Sequence, residues 1–140
     1  MTLPLALPFP LACLALAAAL QAAPARAATA VIVSPKSAAT HMLSQQAAQI
    51  FLGKSTQMTP IDLADNSSTR NDFYQKIAGK DQDQVKAIWS KIVFTGRGFP
   101  PREYNTSTEV KKAVAGDAGA IGYIDKAAVD DTVRVILILQ

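Results

Sequence analysis

The sequence that follows residue 27 contains no cysteine. The single cysteine of the 140 residues, Cys13, lies in an N-terminal apolar run, so the remaining chain can form no disulfide, thiolate metal site or cysteine nucleophile. Only one histidine is present, His41, and no Asp, Glu or Cys stands near it at ligand spacing. We interpret it as a surface or packing residue. HExxH and Walker motifs are missing too, so the sequence gives no indication of an enzyme, a metal site or a cofactor.

The N-terminal run predicts export. Leu3 to Ala23 is apolar and is followed by Ala25-Arg26-Ala27, which has the small-x-small pattern that signal peptidase cleaves. We therefore predict a signal peptide at 1–27 and a periplasmic domain at 28–140. The residues before Cys13 only loosely resemble a lipoprotein cleavage box, which leaves lipidation of this cysteine an open alternative.

The predicted domain also has little net charge. Arg26 is the only charged side chain of the first 27 residues, so 13 basic side chains remain against 11 acidic ones, a balance of +2. Such a charge is too small to indicate a nucleic-acid partner or an anionic membrane surface. It is compatible with a small anionic ligand.

Apolar strand patterns and amphipathic helix patterns follow one another along residues 28–140. The predicted strands are Thr29–Val33, Pro60–Ala64, Ala120–Ile124 and Val133–Leu139, and the predicted helices begin after Ser44, near Thr69, after Asp81 and after Thr106. This order predicts one α/β domain with a mixed sheet flanked by helices. The last strand is almost wholly apolar, so we expect it to be buried on both faces.

The third helix carries an apolar stripe. Val85, Ile88, Trp89 and Ile92 recur at helical spacing and would face the core. Trp89 could instead stack on a ligand, but its place on the stripe favours a core position. In the third predicted strand, Gly122 indicates close approach by another chain segment or a ligand.

Small hydroxyl residues stand where the second strand leads into the second helix. Ser67, Ser68 and Thr69 are typical N-terminal caps, and the free backbone N–H groups of a helix start, with the helix dipole, also attract anions. Arg70 adds donors suited to phosphate or sulfate oxygens, and we expect its side chain to face solvent. An ordinary cap and an oxyanion site are both open on this local chemistry.

The order of several short motifs resembles the phosphate ABC transporter substrate-binding proteins, which are type 2 periplasmic binding proteins. The motifs are Leu43-Ser44, Ile50 to Lys54, Ser67 to Arg70 and Gly119 to Tyr123. In that family a Ser-Gly-Thr-Arg motif opens a helix and binds phosphate. The resemblance implies that Ser67, Ser68, Thr69 and Arg70 bind phosphate here, with Ser68 in place of the glycine. It also implies a single lobe of a protein that normally has two.

A loop with two glycines, Gly96-Arg97-Gly98, precedes two prolines. An arginine between glycines can reach an anion without steric interference, so Arg97 is a further candidate for the phosphate site. The alternative is a tight turn with a solvated arginine. A similar loop occurs in small members of the family that the sequence resembles. This strengthens Arg97 as a candidate but assigns no role to it.

These observations support two hypotheses. The first is an exported phosphate- or oxyanion-binding protein, without catalytic activity, that works with an ABC transporter permease or a sensor protein. The second is a protein-interaction or scaffold domain that has kept the fold and lost the ligand. Two copies pairing as a homodimer could replace the missing lobe, and no nucleic-acid partner is indicated.

Overall fold

A computed structural model describes residues 2–4, 6 and 28–140 of the chain. Within this part the elements follow the order β1 (Thr29–Val33), α1 (Ser44–Phe51), β2 (Thr59–Leu63), α2 (Ser68–Ala78), α3 (Gln82–Phe94), β3 (Arg102–Tyr104), α4 (Ser107–Ala115), β4 (Ala120–Asp125) and β5 (Arg134–Leu139), with a short 3₁₀ turn at Lys126–Ala128. Apart from residues 2–4 and 6, the predicted signal peptide lies outside the described residues, and so does Cys13. No helix in the described part is long and apolar enough to cross a membrane.

The five strands form one mixed sheet in the order β3-β2-β4-β1-β5. β2 runs parallel to β3 and β4, whereas β1 is antiparallel to both β4 and β5. The predicted α/β domain with a mixed, helix-flanked sheet is therefore confirmed. The first strand of the domain, β1, lies inside the sheet beside the edge strand β5, and both of its neighbours follow the four helices in sequence.

Helices cover both faces of this sheet, as two neighbouring residues of β4 show. Successive residues of a strand point to opposite faces. A Cβ atom added at Gly122 would lie 2.9 Å from Val114 and 3.0 Å from Val110, both of α4. On the other face, Tyr123 stacks on Phe73 of α2 with ring centroids 3.8 Å apart. The close approach predicted at Gly122 is confirmed, and the approaching group is a helix.

The predicted caps hold for three of the four helices. The Ser67, Asp81 and Thr106 side chains each accept a hydrogen bond from a backbone N–H of the following first turn. The cap predicted at Ser44 was wrong, because Ser44 is the first helical residue and Leu43 occupies the cap position. The Gln46 side chain accepts a 3.0 Å bond from Leu43 N–H, which anchors this helix start in place of a hydroxyl.

Two strands differ from the predictions. β3 was missed, because its three residues, Arg-Glu-Tyr, carry no apolar alternation and follow two prolines. β5 was expected to be buried on both faces but lies at the edge of the sheet, where Val135, Leu137 and Ile138 are only half-buried. Its outer edge receives a backbone hydrogen bond from Met42 N–H to Ile136 C=O at 3.0 Å.

Candidate functional site

The start of α2 lies directly after the carboxyl end of β2. Ser67 is the cap residue, and its Oγ accepts a 3.3 Å hydrogen bond from the backbone N–H of Arg70. The next residue, Asn71, donates its N–H to Ser67 C=O at 3.2 Å. The N–H groups of Ser68 and Thr69 have no acceptor among the described residues, as expected for the first turn of a helix. These two donors and the two hydroxyls can contact a ligand.

Arg70 does not face solvent as the sequence led us to expect. Its side chain is only 8% exposed and turns back under the strand ends. Nη1 donates to Leu63 C=O at 2.9 Å and to Glu103 Oε1 at 2.7 Å, and lies 3.8 Å from Asp62 Oδ2. Nε is buried and has no hydrogen-bond partner. The physical reason for the burial is that two carboxylates and a carbonyl offset the cost of removing the guanidinium from water.

Asp62 is the centre of this buried polar network. Its carboxylate accepts hydrogen bonds from the hydroxyls of Tyr74, at 2.7 Å, and of Tyr123, and from Leu63 N–H at 3.1 Å. Burial raises the pKa of Asp62, and the attraction of Arg70 and the two tyrosine hydrogen bonds only partly oppose this. Burial and the nearby carboxylate raise the pKa of both tyrosines well above their usual value, so both hydroxyls remain donors.

A cleft of about 450 Å³, which we call the first cleft, opens above this network. Asp62, Arg70 and Glu103 contribute its polar wall, and Asp65 and Lys86 also line it. The remaining lining is mostly apolar and comes from α3 and the following loop: Val85, Trp89, Val93, Phe94, Pro100 and Pro101. Phe94 is 92% exposed. The volume of the first cleft falls within the usual range of small-molecule sites.

Arg97 lies apart from the other predicted site residues. It is exposed, its Nε donates to Thr95 Oγ1 at 3.3 Å, and it lines a separate cleft of about 380 Å³, the second cleft. Trp89, Pro100 and Pro101 line both clefts and form the wall between them. The structure therefore brings Ser67 to Arg70 together at one helix start and places Arg97 in a different cleft.

Three residues of the network were not predicted from the sequence. Glu103 belongs to the missed strand, and Tyr74 and Tyr123 were read only as parts of apolar patterns. One signal for them exists: Asp62 interrupts an otherwise apolar strand, Pro60-Ile61-Asp62-Leu63. A carboxylate in a buried strand requires donors. A carboxylate near a hydroxyl turn is also typical of a capping or solvated group, but Asp62 is neither a helix cap nor solvated, since it lies within β2 and is 1% exposed.

Several solved structures resemble this chain. A Clostridium perfringens protein described as a phosphate ABC transporter substrate-binding protein with bound phosphate superposes with a TM-score of 0.64 at 22% identity, over 79% of this chain and 45% of that one. An ABC-type phosphate transport receptor from Vibrio cholerae superposes with a TM-score of 0.62 at 19% identity, over 79% of this chain and 46% of that one. PstS from Borrelia burgdorferi superposes with a TM-score of 0.58 at 15% identity, over 79% of this chain and 47% of that one. No protein-family model and no curated protein matches the sequence.

These similarities define the class of the fold. The chain has a fold that resembles one lobe of a periplasmic binding protein. It spans a little less than half of the length of the solved proteins that it resembles.

Proposed function

We propose that this domain is a non-catalytic, exported binding module that takes phosphate or a similar oxyanion at the start of α2. The oxyanion would accept hydrogen bonds from the N–H groups of Ser68 and Thr69 and from their hydroxyls. Arg70 would supply positive charge from beneath the site. Such a module would deliver its ligand to an ABC transporter permease or report it to a sensor protein.

The observation that carries this proposal is the free helix start backed by a buried guanidinium. Ser67 satisfies the Arg70 N–H, so the Ser68 and Thr69 donors are the two left for a ligand. The helix dipole favours an anion at this point. The Arg70 guanidinium is buried near this point in the chain, and its Nε forms no hydrogen bond with any residue that the structure describes. The solved phosphate-binding proteins of the same fold make phosphate the first anion to test.

Arg70 contributes less than a free arginine would. Asp62 and Glu103 already compensate its charge. Ser68 is exposed in the described domain, so water also reaches the helix start and screens the ligand. We therefore expect a dissociation constant nearer millimolar than micromolar, and weaker binding as salt is added.

Two substitutions of Ser68 distinguish the contribution of its backbone N–H to phosphate binding from that of its hydroxyl. Ser68 is the first residue of α2, a position where proline is well tolerated, and Ser67 already has the extended backbone that a following proline requires. Ser68→Pro removes the N–H and the hydroxyl, whereas Ser68→Ala removes only the hydroxyl. Titration calorimetry with phosphate should show affinity about 10-fold lower or more for Ser68→Pro, and a smaller loss for Ser68→Ala.

Two results would contradict the proposal. One is the absence of phosphate and sulfate heats at millimolar concentrations in the wild-type domain. The other is a folded Ser68→Pro protein that binds phosphate as tightly as wild type does. Arg70→Ala is a poorer probe, because removing a buried, bonded guanidinium also affects the fold.

A second candidate function is a protein-interaction domain without a small ligand. Two observations favour it: Arg70 is committed to partners within the domain, and Phe94 and Phe99 are exposed, at 92% and 85%. Pairing of two copies is one form of this function. Sedimentation analysis of the domain, alone and with phosphate, would separate a stable homodimer from a ligand-binding monomer.

A further inference from the structure

The second cleft has a charge pattern that the start of α2 does not explain. It lies between the segment that follows α1 and the segment that leads from α3 into β3. Among the residues that the structure describes, Arg97 and Arg102 are the only charged ones that line it, and no carboxylate does. Neither arginine forms a salt bridge with any residue that the structure describes. Two uncompensated guanidiniums on one concave surface favour an anion.

Both guanidiniums have donors to spare. Arg97 uses Nε for its bond to Thr95 Oγ1, which leaves the terminal nitrogens available. The Arg102 guanidinium lies 6.0 Å from the ring centroid of Tyr104, and its N–H groups donate no hydrogen bond to any residue that the structure describes. The hydroxyl residues Ser55, Thr56 and Thr59 line the same cleft and supply further polar contacts.

Most of the remaining lining is apolar, which separates this cleft from a site for an inorganic ion. Ile50, Met58, Trp89, Ile92, Phe99, Pro100 and Pro101 all line it. Phe99 is 85% exposed, so its ring is available to a ligand. A bare phosphate would leave this surface in water, whereas a ligand with an apolar body would bury it.

From this combination we propose that the second cleft binds an amphipathic organic anion. Its carboxylate or other acidic group lies between Arg97 and Arg102, and its aromatic or aliphatic body packs against Met58 and Phe99. This site is distinct from the proposed oxyanion site at α2, and the cleft volume of about 380 Å³ is in the range that small ligands occupy.

The only tryptophan of the chain provides the readout. Trp89 lines the second cleft, so ligand binding there should change its fluorescence. The probes are 3-phenylpropionate, octanoate and naphthalene-2-sulfonate, with 3-phenylpropanamide as the uncharged match of the first. We expect at least one anion to produce a saturable change below about 10 mM, and the amide to bind about 10-fold more weakly than the carboxylate.

Variants locate the site. Arg97→Gln and Arg102→Gln should each weaken binding of the anionic probe about 10-fold or more. Lys86→Gln removes an exposed positive charge from the first cleft only and should leave the affinity unchanged. Ser68→Pro should also leave it unchanged, because the start of α2 lies elsewhere.

Three outcomes would overturn the proposal. The first is that none of the three anions binds below about 10 mM. The second is that 3-phenylpropionate and its amide bind equally well, which would make the cleft a simple apolar pocket. The third is that Lys86→Gln weakens binding as much as Arg97→Gln does, which would place the probe in the first cleft.

Discussion

The two clefts share a wall and differ in how their charges are compensated. In the first cleft, Arg70 is buried and bonded to the carboxylates and a carbonyl of the domain itself. In the second, Arg97 and Arg102 are exposed and have no carboxylate beside them. The arginine in the recognisable motif is therefore a structural group as well as a candidate ligand group. Arg97 and Arg102, which lie outside that motif, are the arginines available to bind an anion.

This difference bears on how a motif is interpreted. Ser67 to Arg70 indicates an oxyanion site by residue type and order, but residue type does not say whether a side chain is already occupied. A buried arginine is stable only with partners, and the partners of Arg70 come from two strands, β2 and β3. Substitutions on the two sides of this contrast should therefore have different effects.

The largest expected effect is at the shared wall. Trp89 is 8% exposed and donates its ring N–H to Phe51 C=O at 3.1 Å, so its predicted place in the core is confirmed. Trp89→Ala should lower the free energy of unfolding by about 3–5 kcal/mol and join the two clefts. Urea unfolding followed by circular dichroism measures this. A variant as stable as wild type would show that Trp89 contributes little to packing.

The next effect separates the two kinds of arginine. Arg70→Met leaves Asp62 buried without its cation and should lower the free energy of unfolding by about 3 kcal/mol, at the low end for a broken buried pair because Glu103 is half-exposed. Arg97→Met is the matched control and should change stability by less than about 0.5 kcal/mol. Equal urea midpoints for the two variants would remove the distinction between the clefts.

A third prediction concerns pH. Burial raises the pKa of Asp62 above its ordinary value of 3.8, so above that pH the folded domain retains a proton that the unfolded chain has released. Stability therefore falls as the pH rises from about 4 through the raised pKa. Asp62→Asn should abolish this part of the slope, whereas Arg97→Gln should keep it. Unfolding free energies measured at intervals from pH 4 to 7 would test it, and parallel curves for wild type and Asp62→Asn would contradict it.

The smallest expected effect is at the rim of the first cleft. Phe94 is 92% exposed, so Phe94→Ser should change the free energy of unfolding by no more than about 0.5 kcal/mol. Because the substitution removes exposed aromatic surface, fluorescence of an added hydrophobic dye should decrease. A loss above 1 kcal/mol would mean that Phe94 packs on the domain and is unavailable to a partner.

Much of the fold could be predicted from local patterns. The apolar runs of β1, β2 and β4, the caps at Ser67, Asp81 and Thr106, and the stripe around Trp89 all depend on residues close in sequence. The position of β5 could not be predicted in this way. An apolar run is compatible with a central or an edge strand, and pairing order decides between them.

The candidate site was less predictable for the same reason. Its chemistry depends on contacts between distant parts of the chain: Arg70 with Glu103, and Asp62 with Tyr123. Local sequence identified the helix start and its hydroxyls. It could not show that a strand without apolar alternation would place a carboxylate against the arginine.

The position of β1 has a consequence for the order in which the domain can form. β1 opens the domain, yet both of its neighbours, β4 and β5, come at the opposite end of the chain. Pairings between such distant residues close long loops and slow folding compared with local contacts. β1 can therefore pair only after β4 or β5 has formed, and any intermediate that precedes both has Thr29 to Val33 as an unpaired, aggregation-prone strand.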